Sequence, residues 1–120
     1  MSESNAEAFR RYIDVWVRGE VDQLDEMLGQ GYVGHSGSDP NWDEDADQAR
    51  KRIASYHAAH PGVRVEIHEQ LSEGDLVATR MIAREANPST GQEGVAVGFN
   101  ISRYQAGKLV EEWALWERLP

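Results

Sequence analysis

Residues 95–118 read VAVGFNISRYQAGKLVEEWALWER, two runs rich in β-branched and aromatic residues joined at Gln105-Ala106-Gly107. This spacing predicts a β-hairpin. The same pattern recurs upstream. Ser72-Glu73-Gly74-Asp75 separates Val63–Leu71 from Leu76–Glu85, and Asn87–Gly94 separates that run from Val95–Tyr104. With Lys108–Arg118 the four runs predict an antiparallel meander. The chain before them reads as helix. Ser4-Asn5-Ala6-Glu7 matches a capping box, and Phe9, Tyr12, Ile13 and Trp16 follow at helical spacing until Gly19. Val21–Leu28 predicts a second short helix with Leu24, Met27 and Leu28 inward. Gly29 and Gly31 end it, Tyr32-Val33 begins a short extended segment, and Gly34–Trp42 reads as a loop. Asp43 to about Ala59 predicts a third helix, with Ala46, Ala49, Ile53 and Tyr56 inward and Pro61-Gly62 as its stop. Three helices before a meander predict an α+β fold in one domain, residues 1–120.

Composition narrows the function. The chain has 120 residues, 12 Lys plus Arg against 21 Asp plus Glu, and a formal net charge of −9. An acidic chain without a basic cluster is not built to grip phosphate backbones or anionic membrane surfaces, so neither nucleic acid nor membrane is expected as a partner. The chain has no cysteine, which excludes thiol nucleophiles, thiolate zinc sites and disulfides. No apolar run approaches the ~20 residues of a membrane span, and Met1–Ala8 is polar, so a cytoplasmic location is expected.

Strand alternation sorts the sheet residues into two faces. One set holds Arg80, Ile82, Ala96, Gly98, Asn100, Ser102, Val110, Glu112, Ala114 and Trp116. The other holds Thr79, Met81, Ala83, Val95, Val97, Phe99, Ile101, Leu109, Glu111, Trp113 and Leu115. Small residues beside isolated polar groups suit a face that encloses a pocket. The bulky second face then needs a cover, and a second copy of the chain is the simplest one, seated on Val97, Phe99, Trp113 and Leu115. The alternative is that helices cover the apolar face and the mixed face is wet.

"YVGHSG" at residues 32–37 and "ISRYQAGKLVEEWALWE" at 101–117 resemble the nuclear transport factor 2-like superfamily. Within it, the chain is most similar to SnoaL-type polyketide cyclases and their relatives, the ketosteroid isomerases and limonene epoxide hydrolases. The resemblance implies a cone-shaped domain whose helices and sheet enclose a deep pocket, often dimeric through the outer sheet face. It favours the mixed face as pocket. Tyr12 falls on the isomerase tyrosine that donates to a developing oxyanion, and Asn100 falls on the second donor. Trp116 falls on an aromatic pocket wall, and Arg80 on the arginine of the hydrolases' Asp-Arg-Asp group. The acid/base aspartate of the cyclases falls on Ala114, and the second hydrolase aspartate on Ile82, so epoxide hydrolysis is poorly supported.

The remaining candidates come from residue chemistry. His35, at or next to the position of the isomerase base, could remove a proton alpha to a carbonyl; otherwise it is a loop histidine bonded to backbone. Glu112, two residues before Ala114 in the same register, is either a displaced carboxylate base or the salt-bridge partner of Arg80. Trp16 and Tyr32 would wall the pocket. His57, His60 and His68 lack metal-ligand spacing, the Asp43–Asp47 run reads as a solvated helix start, and no cofactor or metal is expected. The reading is therefore an enzyme acting by proton transfer on a small apolar carbonyl compound, through aldol cyclisation or isomerisation. Its catalytic residues would be His35, Tyr12, Asn100 and Glu112, with Trp16, Tyr32, Arg80, Ala114 and Trp116 binding substrate. The alternative is a binding domain that keeps the pocket and has lost its base.

Overall fold

A computed structural model of the chain describes residues 3–87 and 89–120. Met1 and Ser2 of the polar N-terminus, and Pro88 of the Asn87–Gly94 turn, lie outside the described residues. Helix α1 (Asn5–Arg18) starts at the Ser4/Glu7 capping box and ends at Gly19. Its apolar face buries Phe9, Tyr12 and Ile13 against Val77, Met81, Tyr104 and Leu109 of the sheet. Phe9 is fully buried, and burial of that order is worth about 1.5–3 kcal/mol for a side chain of its kind.

Three boundaries differ from the sequence reading. The second helix splits into a 3-10 turn at Val21–Gln23 and a single helical turn, α2 (Leu24–Met27). Leu28 already belongs to strand β1 (Leu28–Ser36), which also absorbs Gly34, His35 and Ser36 from the expected loop. Asp43 and Glu44 form a short strand, β2 (Asp43–Glu44), and α3 (Ala46–Ala59) begins only after Asp45, whose side chain caps the Gln48 amide. Two strands thus separate α2 from α3, and the helices do not form one N-terminal block. Pairing with β1 outcompetes helix extension at Asp43 and Glu44 because it satisfies backbone groups that a frayed first turn would leave open.

The meander comprises β3 (Arg64–Glu73), β4 (Leu76–Ala86), β5 (Glu93–Gln105) and β6 (Lys108–Arg118). The six strands form one sheet in the order β2-β1-β6-β5-β4-β3, antiparallel except where β1 runs parallel to β6. Among the described residues, no helix is long and apolar enough to cross a membrane.

Register corrects the assignment of faces. Asn100 lies opposite Thr79, and Gly98 opposite Met81, so Thr79, Met81 and Ala83 share the mixed face, while Arg80 lies opposite Phe99 on the outer one. A single extra residue, Val110, breaks the register of β6: Arg103 faces Glu111, but Tyr104 faces Leu109. Leu109 is therefore buried in the core beneath the helices, against expectation, while Glu112, Ala114 and Trp116 keep the mixed face. The helices pack on that face. Phe99, Ile101 and Leu115 of the other face remain 54%, 47% and 42% exposed, so the apolar face is not the helix-covered core.

Candidate functional site

Between the helices and the mixed face lies a hollow of about 350 Å³. Tyr12, Trp16, Tyr32, Asn100, Glu112, Ala114 and Trp116 line it, together with Glu44 and Arg52. Arg80 does not. Its guanidinium makes two 2.8 Å bonds to Glu69 on the outer face, because hairpin register turns it away from Gly98 and Asn100. The expected Arg80–Glu112 pair is therefore absent.

The centre of the hollow is the Glu112 carboxylate. The Tyr12 hydroxyl donates to its Oε2 at 2.9 Å and the Tyr32 hydroxyl to the same atom at 2.6 Å. The Asn100 side-chain amide donates to Oε1 at 2.8 Å, while its own oxygen accepts from the Ser102 hydroxyl. These bonds fix the Asn100 amide with nitrogen toward Glu112. All five side chains are buried. Burial, and secondly the charge of Glu112, push both phenols up from their ordinary value, so Tyr12 and Tyr32 keep their protons and remain donors.

Two glycines make room for this arrangement. A Cβ on Gly34 would stand 2.8 Å from the Tyr32 hydroxyl and 3.3 Å from Glu44 Oε1. A Cβ on Gly98 would stand 2.6 Å from the Trp116 ring, which lies flat over that position. Trp116 in turn lies parallel to Trp16, with ring centroids 6.3 Å apart and planes 5° apart.

The sequence reading missed Glu44 and Arg52. Glu44 was grouped with the solvated acidic run, yet its pairing opposite Gly34 places it on the inward face, and only 4% of its side chain is exposed. Arg52 reaches it from α3, with Nε 3.1 and 3.0 Å from the two carboxylate oxygens and Nη2 2.7 Å from Oε1. The usable signal was strand alternation: if Tyr32 and Gly34 face inward, a strand paired at Gly34 must send every second residue inward as well.

His35 contributes to the wall of the hollow, but its imidazole serves the sheet edge. Nδ1 lies 2.8 Å from Asp43 Oδ1 and Nε2 2.8 Å from Glu111 Oε2, and the ring stacks on Trp113 of the outer face. Both ring nitrogens thus face carboxylates, and the imidazole is engaged at the sheet edge. The hydrogen bond to Glu111 is the main influence raising its pKa; burial opposes, and Asp43 adds to the rise. The folded state therefore holds the imidazolium more tightly than the unfolded chain, whose histidine titrates near 6.5. Stability from this clamp is full below about pH 6.5 and is lost as pH rises through the raised folded value. Melting temperatures of wild type and His35→Gln are expected to differ most at pH 6 and to converge above that value. A constant difference across the range would refute the clamp.

The other histidines are occupied elsewhere. His57 Nδ1 lies 3.0 Å from the Val17 carbonyl, His60 Nε2 3.3 Å from Glu85, and His68 Nε2 3.3 Å from Glu66. Burial opposes the charge of Glu85, but the nearby Tyr56 hydroxyl, the hydrogen bonds from Arg118 and the Arg118 charge hold its carboxyl below the usual range.

A profile for the SnoaL-like domain matches residues 9–112. Among solved structures, IdmH from Streptomyces antibioticus, described as a candidate polyketide cyclase, superposes with a TM-score of 0.85 at 22% identity, over 96% of this chain and 93% of that one. A candidate polyketide cyclase from Acidithiobacillus ferrooxidans gives 0.82 at 22% identity, over 98% and 92%. AclR from Streptomyces galilaeus, described as a candidate hydroxylase, gives 0.78 at 20% identity, over 95% and 91%. Comparison with curated protein sequences gives no significant match.

Proposed function

We propose, on the premise that the chain belongs to the SnoaL-like domain family, that it is an enzyme of proton transfer at the carbon beside a carbonyl, with Glu112 as the base. The observation that supports this reading is the convergence of two tyrosine hydroxyls on one Glu112 oxygen inside an aromatic-walled hollow. At rest three hydrogen bonds occupy the Glu112 carboxylate. A ketone oxygen entering beside Tyr12 and Tyr32 competes for their protons. Each hydroxyl that swings to the ketone frees a lone pair of Glu112 for the substrate proton and at the same time stabilises the enolate to be formed. The base takes the proton from carbon, and the carbon–hydrogen electron pair moves into the enolate. Glu112 then returns the proton either to another carbon, giving isomerisation, or to the alkoxide of an aldol adduct, giving cyclisation. Asn100 holds the carboxylate in line, and Ala114 leaves space where a larger side chain would fill the hollow.

The test is α-proton exchange of 2-acetylnaphthalene in deuterated buffer, followed by nuclear magnetic resonance. Wild-type protein is expected to accelerate the exchange. Saturable binding of the ketone without acceleration would instead support the second reading, a ligand-binding domain. The three hydrogen bonds that Glu112 accepts from within the protein favour that reading, because a satisfied carboxylate is stable without a reaction to perform.

The outer face supports a symmetric dimer through Val97, Phe99, Trp113 and Leu115. The pairs Arg80–Glu69 and Arg103–Asp75 put both signs of charge on the surface, which a two-fold axis can match against itself. Trp113 also stacks on His35, so Phe99→Glu is the cleaner probe of this interface. Light scattering is expected to give twice the chain mass for wild type and the single mass for Phe99→Glu. Equal masses would refute the interface.

A further inference from the structure

A second hollow, of about 300 Å³, continues along the same sheet face. It shares Trp16, Arg52 and Trp116 with the first, so the two adjoin at the parallel tryptophans. Its floor is the cross-strand pair Ala83 and Ala96, both buried and too small to fill the space above them. Tyr56 packs on Trp16 with ring centroids 4.7 Å apart, and so extends the aromatic wall. Arg118, with most of its side chain exposed, and buried Glu85 stand at the far end. Arg118 Nη2 lies 2.9 and 2.8 Å from the two Glu85 oxygens and Nε 3.3 Å from Oε1, which leaves Nη1 with no hydrogen bond among the described residues. Glu85 is engaged by Arg118 on both oxygens and by His60, whose Nε2 lies 3.3 Å from Oε2.

We propose that this hollow is a second subsite, which holds the anionic end of a flat aromatic acid whose carbonyl end lies at Glu112. The placement of that carbonyl end rests on the proton-transfer reading above. Flat walls select a planar ring, the alanine floor admits it, and the unused edge of the guanidinium offers a directed donor to a carboxylate. The guanidinium is paired with Glu85 and 65% of the Arg118 side chain is exposed, so its unused edge is a directed donor at the solvent end of an apolar slot. The subsite therefore discriminates by charge, whereas the first hollow acts on a neutral ketone.

The probes are 6-acetyl-2-naphthoate and its methyl ester, which share the ketone and the rings and differ in charge at the far end. Binding is read by quenching of tryptophan fluorescence. Wild type is expected to bind the carboxylate about tenfold more tightly than the ester, in keeping with one charge-assisted hydrogen bond. Arg118→Gln is expected to lose that preference. The double variant Glu85→Gln with Arg118→Gln, which leaves no carboxylate unpaired, is expected to lose it too. Equal affinities for the two probes in wild type, or a preference that survives in both variants, would overturn the subsite. Proton exchange is measured separately on 2-acetylnaphthalene, so a failure of the Glu112 reading leaves this result distinguishable.

Discussion

Glu112→Gln is expected to slow α-proton exchange of 2-acetylnaphthalene by about 10³-fold, within the range of about 10² to 10⁴ that a positioned base contributes. The substitution keeps the shape of the side chain. The Gln oxygen can still accept from Tyr12 and Tyr32, but its amide nitrogen then meets the Asn100 amide nitrogen, which donates to Glu112 in the wild type. Asn100 must turn, and Ser102 with it, because the Ser102 hydroxyl bonds the Asn100 oxygen. A cost of about 1–3 kcal/mol in stability follows from that mismatch. It is too small to unfold an ordinary domain, so loss of exchange in a variant with unchanged circular dichroism reports on chemistry. Exchange at the wild-type rate would remove Glu112 from the mechanism.

Arg52→Met is expected to be the most destabilising change at a half-exposed position. Glu44 has 4% of its side chain exposed, and Arg52 is its ion-pair partner. Removing that partner leaves a buried carboxylate uncompensated. Such losses reach about 3–5 kcal/mol in fully buried pairs. With 45% of the Arg52 side chain exposed, water takes up part of the deficit, and about 2–3 kcal/mol is expected. For a chain of this size that corresponds to a fall in melting temperature of roughly 10 °C. Adding Glu44→Gln should recover at least half of the loss, since the charge that needed a partner is gone. Losses that simply add in the double variant would show that Arg52 acts through packing of its stem and not through Glu44.

The legibility of this molecule in its sequence followed the range of the interactions. The Ser4/Glu7 cap, the end of α1 at Gly19 and the four meander strands depend on residues a few positions apart, and each was readable. Tyr12, Asn100, Glu112 and Trp116 were correctly brought to one hollow because they lie on faces set by helix and strand periods. Arg80 was misplaced because the facing of β4 relative to β5 depends on how the Asn87–Gly94 connection sets the hairpin register. The surroundings of His35 and Glu44 were hidden for a related reason. Gly34 and Glu44 form a cross-strand pair, and only that pairing reveals that Gly34 looks inward, His35 outward and Glu44 back into the wall. Composition misleads there, since Asp43–Asp47 looks uniformly wet and its second member is not.

The extra residue at Val110 carries more weight than its size suggests. Strict alternation sends residues three apart to opposite faces, and the bulge at Val110 lifts that rule between Leu109 and Glu112. Here it lets Leu109 face the helices while, two steps later, Glu111 grips the sheet edge and Glu112 enters the interior. Deleting that position would leave Tyr104–Leu109, Arg103–Glu111 and Ser102–Glu112 as consecutive regular pairs, so every side chain would keep its face and only the local bend of the strand would be lost.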